Sequence, residues 1–296
     1  MRYTIHRNKI YILIFIICFI IMLLGYLQET GLFNTLESCI SQPGYQKNYF
    51  LNSDVESVRF LEPTIWNIIL DVLTYEHPIQ FDTTVIFSTM WFQMIIPLYG
   101  CVAGLIFYRK WTSTSKMEIY RYSSLQSYIL HETISIAFKI SIAIFISYIL
   151  FISLAYSVSS PDHLIGATGR SLFSDLIGDS LYQNHTYLYF VLEGTIRFFL
   201  VPFIYSMFSE CIPLLNRGIK ETVGAPLIYY YGMGMLGTAI YLAAKNSNFY
   251  VYISPAVIMS SGGFNNINTV LMIICAMIPL YISFAVIRIR CHDAEL

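Results

Sequence analysis

Six apolar runs, each long enough to cross a bilayer, constrain this chain more than any other feature. They cover residues 10–27, 84–108, 134–157, 187–208, 223–244 and 269–287. A hydrocarbon core about 30 Å thick asks for roughly 20 mostly apolar residues of α-helix. Inside lipid such a segment must satisfy its backbone hydrogen bonds within itself, which favours helix over irregular chain. Soluble domains have about a quarter of their residues charged; here the share is 12%, with a mean hydropathy of +0.60. The expected fold is an all-α polytopic membrane protein, a single transmembrane domain over residues 1–296.

Charge then orients the runs. A short basic stretch, Arg2 to Lys9, precedes the first run. That run is longer than the apolar core of a signal peptide, and no small-x-small cleavage pattern follows it, so an uncleaved span is expected. Placing both termini in the cytoplasm puts Arg2, Arg7, Lys9, Arg109, Lys110, Lys116, Arg121, Arg217, Lys220, Arg288 and Arg290 inside. Only Lys47, Arg59, Arg170 and Lys245 then lie outside. That asymmetry follows the positive-inside rule and predicts six transmembrane helices with a long first extracellular loop, residues 28–83.

The extracellular loop is acidic, with Glu56, Glu62 and Asp71 among its carboxylates. Within Glu62–Tyr75 the spacing of Ile65, Trp66, Ile68, Ile69, Val72 and Leu73 predicts one apolar helix face. It suits either an interfacial helix with Trp66 at headgroup depth or packing within the loop itself. Pro97 is expected to kink the second span. The six cysteines are scattered, with Cys39 alone in an external segment, so they read as packing residues rather than a disulfide framework. No basic block interleaved with aromatics is present, which argues against nucleic-acid binding.

Few motifs carry chemistry. Gly232-Met-Gly234-Met-Leu-Gly237 matches GxGxxG formally, but it sits inside the fifth run with no βαβ context. Its expected role is a small-residue face for close helix approach. Glu193 and Arg197, spaced i, i+4 in the fourth run, share one helix face with the acid N-terminal. Intramembrane charges are costly and mark functional sites by default, yet a mutually neutralised structural pair is the equal alternative. The pair also resembles part of the ExxxR element of intramembrane proteases. Leu192 stands where those enzymes need a second glutamate, and all six histidines fall in tails, loops or span ends. No catalytic residue, metal site or cofactor is therefore assigned. Nor is there a GxxxxGK[ST] phosphate loop, so any ATP-driven work needs another polypeptide.

The longest charged passage is the loop 109–133, expected inside. Met117, Tyr120, Leu125, Tyr128 and Ile129 are predicted to line one side of a helical stretch, with Ser123-Ser124 as a break or cap. Basic flanks around such a stripe suit a groove on another protein, the favoured reading, or the anionic inner leaflet.

From Trp91-Phe-Gln-Met-Ile-Ile-Pro97-Leu-Tyr through Ile119-Tyr-Arg-Tyr-Ser-Ser124, the chain resembles the permease subunits of bacterial ATP-binding-cassette (ABC) exporters of the type-2 class, in their divergent Firmicutes-like form. The resemblance implies six spans, cytoplasmic termini and a coupling helix between spans two and three. It also implies short re-entrant helices before the last span, which Tyr250–Gly263 resembles. The implied partners are a cytoplasmic ABC ATPase and a second permease copy or homologue, with the protein embedded in lipid of a bacterial plasma membrane. Met117, Tyr120, Arg121 and Tyr128 are the implied coupling residues. Leu125 and Glu132 stand where relatives commonly carry basic residues, and only nine residues precede the first span. Two other functions fit the residues: an immunity or sensor protein whose acidic outer loops bind a cationic peptide, and an intramembrane protease.

Overall fold

Prolines decide where the long apolar runs break. The computed structural model describes residues 2–29, 32–41, 66, 81–113, 118–159, 177, 179–244, 252–255 and 268–293, and among these no strand occurs. The helices are α1 (Arg2–Glu29), α2 (Leu32–Ser41), α3 (Phe81–Met90), α4 (Phe92–Ser113), α5 (Leu125–Val158), α6 (Asp179–Asn184), α7 (Thr186–Gly194), α8 (Val201–Cys211), α9 (Ile219–Ala244), α10 (Thr269–Ala276) and α11 (Ile278–Asp293). A proline cannot donate to the carbonyl four residues earlier, and its ring crowds that carbonyl. Pro97 acts on residue 93, and the chain bends by 54° between Met90 and Met94. The bend therefore lies before the proline, at the α3–α4 junction, rather than at Pro97 itself. Pro202 follows a π-helical segment, Thr195–Leu200, that joins α7 to α8. Pro279 follows the break at Met277 between α10 and α11. In α9 the helix continues through Pro226 because other helices satisfy its carbonyls. Ser209 Oγ donates to the Thr222 carbonyl at 3.1 Å, and Cys101 Sγ to the Val223 carbonyl at 3.2 Å.

Pairs of contacts set the direction of each pass. Gly25 lies against the Ser88 backbone and Cys18 Sγ donates to Tyr99 Oη at 2.9 Å, so α1 runs antiparallel to α3–α4. Phe81, at the start of α3, stacks edge-on against Tyr156 near the end of α5 and Phe190 in α7. The Tyr231 hydroxyl donates to the Met94 carbonyl while Cys101 meets Val223, making α9 antiparallel to α4. Up and down passes thus alternate among α1, α3–α4, α5 and α9.

The α8 helix is the axis of the bundle. Every residue from Val201 to Cys211 except Phe203 is buried, and α8 packs chiefly on α4, α5 and α11. Gly100 and Gly104 of α4 permit the tightest of these contacts. A Cβ on Gly100 would come within 2.8 Å of the Tyr205 carbonyl oxygen, and one on Gly104 would strike Ser209 and Thr222. Large apolar side chains point outward from α1, α5 and α11, among them Ile12, Phe138, Leu150 and Phe284. An outward apolar surface of this kind is what a lipid environment tolerates and water does not.

Among the described residues, four helical stretches are long and apolar enough to cross a membrane: Lys9–Gln28, Leu125–Val158, Thr186–Leu215 and Val270–His292. The bent α3–α4 pair makes a fifth if taken as one span. The 26-residue α9 is not among them; Tyr229-Tyr230-Tyr231 and its glycines dilute its apolar character. Two elements were not foreseen in the loops. α2 falls in residues 28–83 and α6 in 159–185, where the Tyr182 hydroxyl donates to Asp82 at 2.9 Å. Burial and the Asp82 carboxylate both push the Tyr182 phenol above its ordinary range. Of the expected helix Glu62–Tyr75 only Trp66 is described, helical and exposed; Glu56, Glu62 and Asp71 lie outside the described residues. None of the six cysteines is in a disulfide.

Candidate functional site

Two charged constellations occur at different depths of the bundle. The first ties together the segment around the loop 109–133, which is less of a loop than the sequence implies. α4 carries Arg109 and Lys110 through to Ser113, and α5 begins at Leu125. Ser124 caps α5 as expected of that serine pair, its hydroxyl accepting the Ser127 N–H at 3.1 Å. Between the helices, Ile119–Arg121 forms one 3-10 turn. Lys110 Nζ donates to Glu118 at 2.9 Å and to Glu132 at 2.6 Å, so one ammonium joins the end of α4, the turn and the first turns of α5. The Tyr122 hydroxyl shares a 3.0 Å hydrogen bond with His131 Nδ1, and the Tyr122 ring meets Tyr128 edge to face.

The residues expected to couple to a partner divide on this scaffold. Tyr120 is 90% exposed and Arg121 is exposed beside it. Tyr128 and Ile129 are fully buried in α5, and the Tyr128 hydroxyl lies close to Glu118 and Glu132. They hold the turn from below rather than extending an exposed stripe, because α5 continues into the bundle and turns that face inward. Met117 lies outside the described residues. Glu132 is the more buried of the two acids that Lys110 meets.

Reversing the lysine tests this arrangement. Lys110→Glu sets three carboxylates together, two of them on side chains 31% and 10% exposed. It is expected to cost about 2 kcal/mol or more. Adding Glu132→Lys should recover part of that loss. Thermal unfolding of the detergent-solubilised variants measures both, and an unchanged midpoint for Lys110→Glu would remove the lysine from its bracing role.

The second constellation is the Glu193–Arg197 pair. Arg197 Nη2 lies 2.7 Å from Glu193 Oε1, and the side chains are only 2% and 1% exposed. The pair spans the junction of α7 with the π segment Thr195–Leu200. Wide π turns inside helices occur often at functional positions. Tyr148 of α5 completes the setting: its ring stacks on Phe198 with centroids 4.1 Å apart, and its hydroxyl donates to the Phe190 carbonyl at 3.0 Å. Gly194 lies flat against that ring.

Glu210 lies just past the end of the fourth apolar run and belongs to no motif. It is fully buried near the C-terminus of α8, close to Glu132, and neither carboxyl oxygen has a hydrogen-bond partner among the described residues. Burying an ionisable group without a partner is expensive. Its sequence signal was position alone, a lone acid two residues beyond Phe208.

The glycines of the formal GxGxxG differ: Gly237 is buried, and a Cβ on Gly234 would meet Ser254 Oγ at 3.7 Å. A Cβ on Gly232 would have nothing within 4 Å, so that glycine faces open space. The close helix contacts fall instead at Gly25, Gly100 and Gly104. Among the described residues no group of three or more His, Cys, Asp or Glu is placed to hold a metal ion. Comparison with known protein families, with curated proteins and with solved structures returned no match.

Proposed function

We propose that the chain is the membrane-spanning permease subunit of an ATP-driven ABC exporter, with ATP hydrolysed by a separate cytoplasmic subunit. The observation that carries this reading is the braced turn Ile119–Arg121. It presents an almost fully exposed tyrosine and an arginine on a platform fixed by Lys110. Tyrosine and arginine are the side chains most enriched among residues that dominate protein interfaces. An exposed aromatic ring beside a cation needs a partner surface more than a solvent-facing turn does. ATP-driven closure of that partner would push on the turn, and the buried α5 residues beneath it would pass the movement into the bundle.

Six spans with both termini cytoplasmic, in a bacterial plasma membrane, belong to the same reading. Its support is the skew of lysine and arginine toward the end that holds Lys110, together with the alternating direction of the helical passes. On this reading α9 crosses despite its tyrosines, and a second permease copy completes the assembly.

Co-purification tests the proposal. Gently solubilised protein should bring an ABC ATPase with it. The variant Tyr120→Ala/Arg121→Glu should lower that recovery by about tenfold or more, as loss of a central interface pair does. Recovery of no ATPase under several solubilisation conditions, or equal recovery with the double variant, would sink it.

A further inference from the structure

A cavity of about 230 Å³ lies where α8, α9 and the α10–α11 junction meet. Tyr205 of α8 and Tyr229 and Met233 of α9 form one side. Met272, Cys275 and Ala276, running up to the break at Met277, form the other. Tyr252 to Pro255 closes one end. An apolar cavity of about 150 Å³ can stay dry and take up benzene, so this one has room for a substituted ring. Its place at a broken helix is informative. Interrupted helices inside a membrane are tolerated where they line a cavity. Here the break between α10 and α11 at Met277, with Pro279 just beyond it, borders the space directly, Ala276 and Ile278 lining it on either side.

The few polar groups fall at one end and lean toward donation. Tyr252 Oη accepts the Asn268 N–H at 2.9 Å, leaving its own proton to give. Ser254 beside it is buried. The hydroxyl of the wall residue Tyr205 is buried with no hydrogen-bond partner among the described residues, and an unmet buried donor favours any acceptor that reaches it.

We propose that this cavity binds a small, ring-bearing apolar molecule with a single hydrogen-bond acceptor. Its polar end faces Tyr252 and Ser254, and its apolar body rests on Met272, Cys275 and Ala276. The site lies within one chain and does not depend on an ATPase partner, so its test and the co-purification test fail separately.

Benzophenone is the probe: two rings, one carbonyl, and under near-ultraviolet light a strong preference for methionine C–H bonds. The full chain in phosphatidylcholine vesicles is irradiated over a range of benzophenone concentrations, and adducts are mapped by mass spectrometry. Adducts at Met233 and Met272 are expected to saturate, while those at the exposed Met235, 74% accessible, rise linearly with the lipid concentration of the probe. Phenyl benzoate, which carries two rings and a carbonyl acceptor but no aliphatic C–H bond for the excited ketone to abstract, should compete away the Met272 adduct in the unmodified protein and leave the Met235 adduct unchanged. Ala276→Phe, which fills the space, should lower Met272 labelling by about tenfold and leave Met235 unchanged. Linear labelling at Met272 with no competition would mean that lipid chains merely bathe the site, and would overturn the proposal. So would a well-folded Ala276→Phe variant labelled like the parent.

Discussion

Arg197→Met is expected to destabilise the protein by about 3–5 kcal/mol, the loss that follows when one partner of a buried ion pair is removed and the other stays behind. Glu193 is 1% exposed in its side chain, so its carboxylate cannot be rescued by water once the guanidinium 2.7 Å away is gone. Glu193→Leu should cost a similar amount for the opposite reason, stranding the arginine. The informative variant is the double, Glu193→Leu/Arg197→Met. Replacing a buried pair by apolar residues of similar volume is often neutral or stabilising, so most of the loss should return. Arg197→Lys should recover little, since a point ammonium cannot reproduce the planar fork across the same gap. Unfolding in mixed detergent micelles, followed by helical circular dichroism, measures all four. A double variant as unstable as the sum of the singles would show that each charge answers to something other than its neighbour. A double variant that is stable yet inactive in the cell would assign the pair a working role in the membrane rather than a packing one.

The depth to which the sequence could be read follows from how local each signal is. The helices came through because apolar length is a property of consecutive residues, and Glu193 with Arg197 because an i, i+4 pair lies within a single turn. The Lys110–Glu132 contact joins two different helices across the turn, and no spacing rule predicts which acid a lysine will choose. Glu210 faces the same obstacle: nothing in its neighbours in sequence says that α8 would be wrapped on all sides. The stripe that includes Tyr120 and Tyr128 illustrates the remaining gap. Periodicity placed them on one face of a helix, but the cap at Ser124 starts a new helix between them. One residue is left outside and the other buried. Pro97 was legible as the cause of a kink in the second span, but not the place of the bend, which lies between Met90 and Met94 because the crowded carbonyl is four residues earlier than the ring. Glycines misled most. Gly232, in the motif-like cluster, faces open space, whereas Gly100, Gly104 and Gly194, which belong to no motif, carry tight contacts. A glycine's role depends on what lies opposite, and that partner is far away in sequence.

Gly194 yields the second large effect. A Cβ there would overlap the ring of Tyr148, meeting Cε1, Cδ1 and Cζ. A clash with the end of a flexible side chain is relieved cheaply, but this ring has no free direction. Phe198 stacks on it at 4.1 Å with planes 20° apart, and its hydroxyl is held by the Phe190 carbonyl. Gly194→Ala must therefore push apart α5 and the π segment, at about 1–3 kcal/mol, and a larger side chain such as leucine costs more. The neighbouring residue is Glu193, so the displacement also disturbs the ion pair, and the cost should exceed that of an alanine placed elsewhere in α7. Combining Gly194→Ala with Tyr148→Leu removes the obstacle. The two changes should couple favourably by about 0.5–3 kcal/mol in a double-mutant cycle, as residues in direct contact do. Strict additivity of the two losses would mean that the backbone, not the tyrosine, limits that position. The same cycle with Phe198→Leu in place of Tyr148→Leu serves as the control. Removing the stacking partner frees the tyrosine to move, so a smaller coupling of the same sign is expected if confinement of the ring is what makes Gly194 necessary.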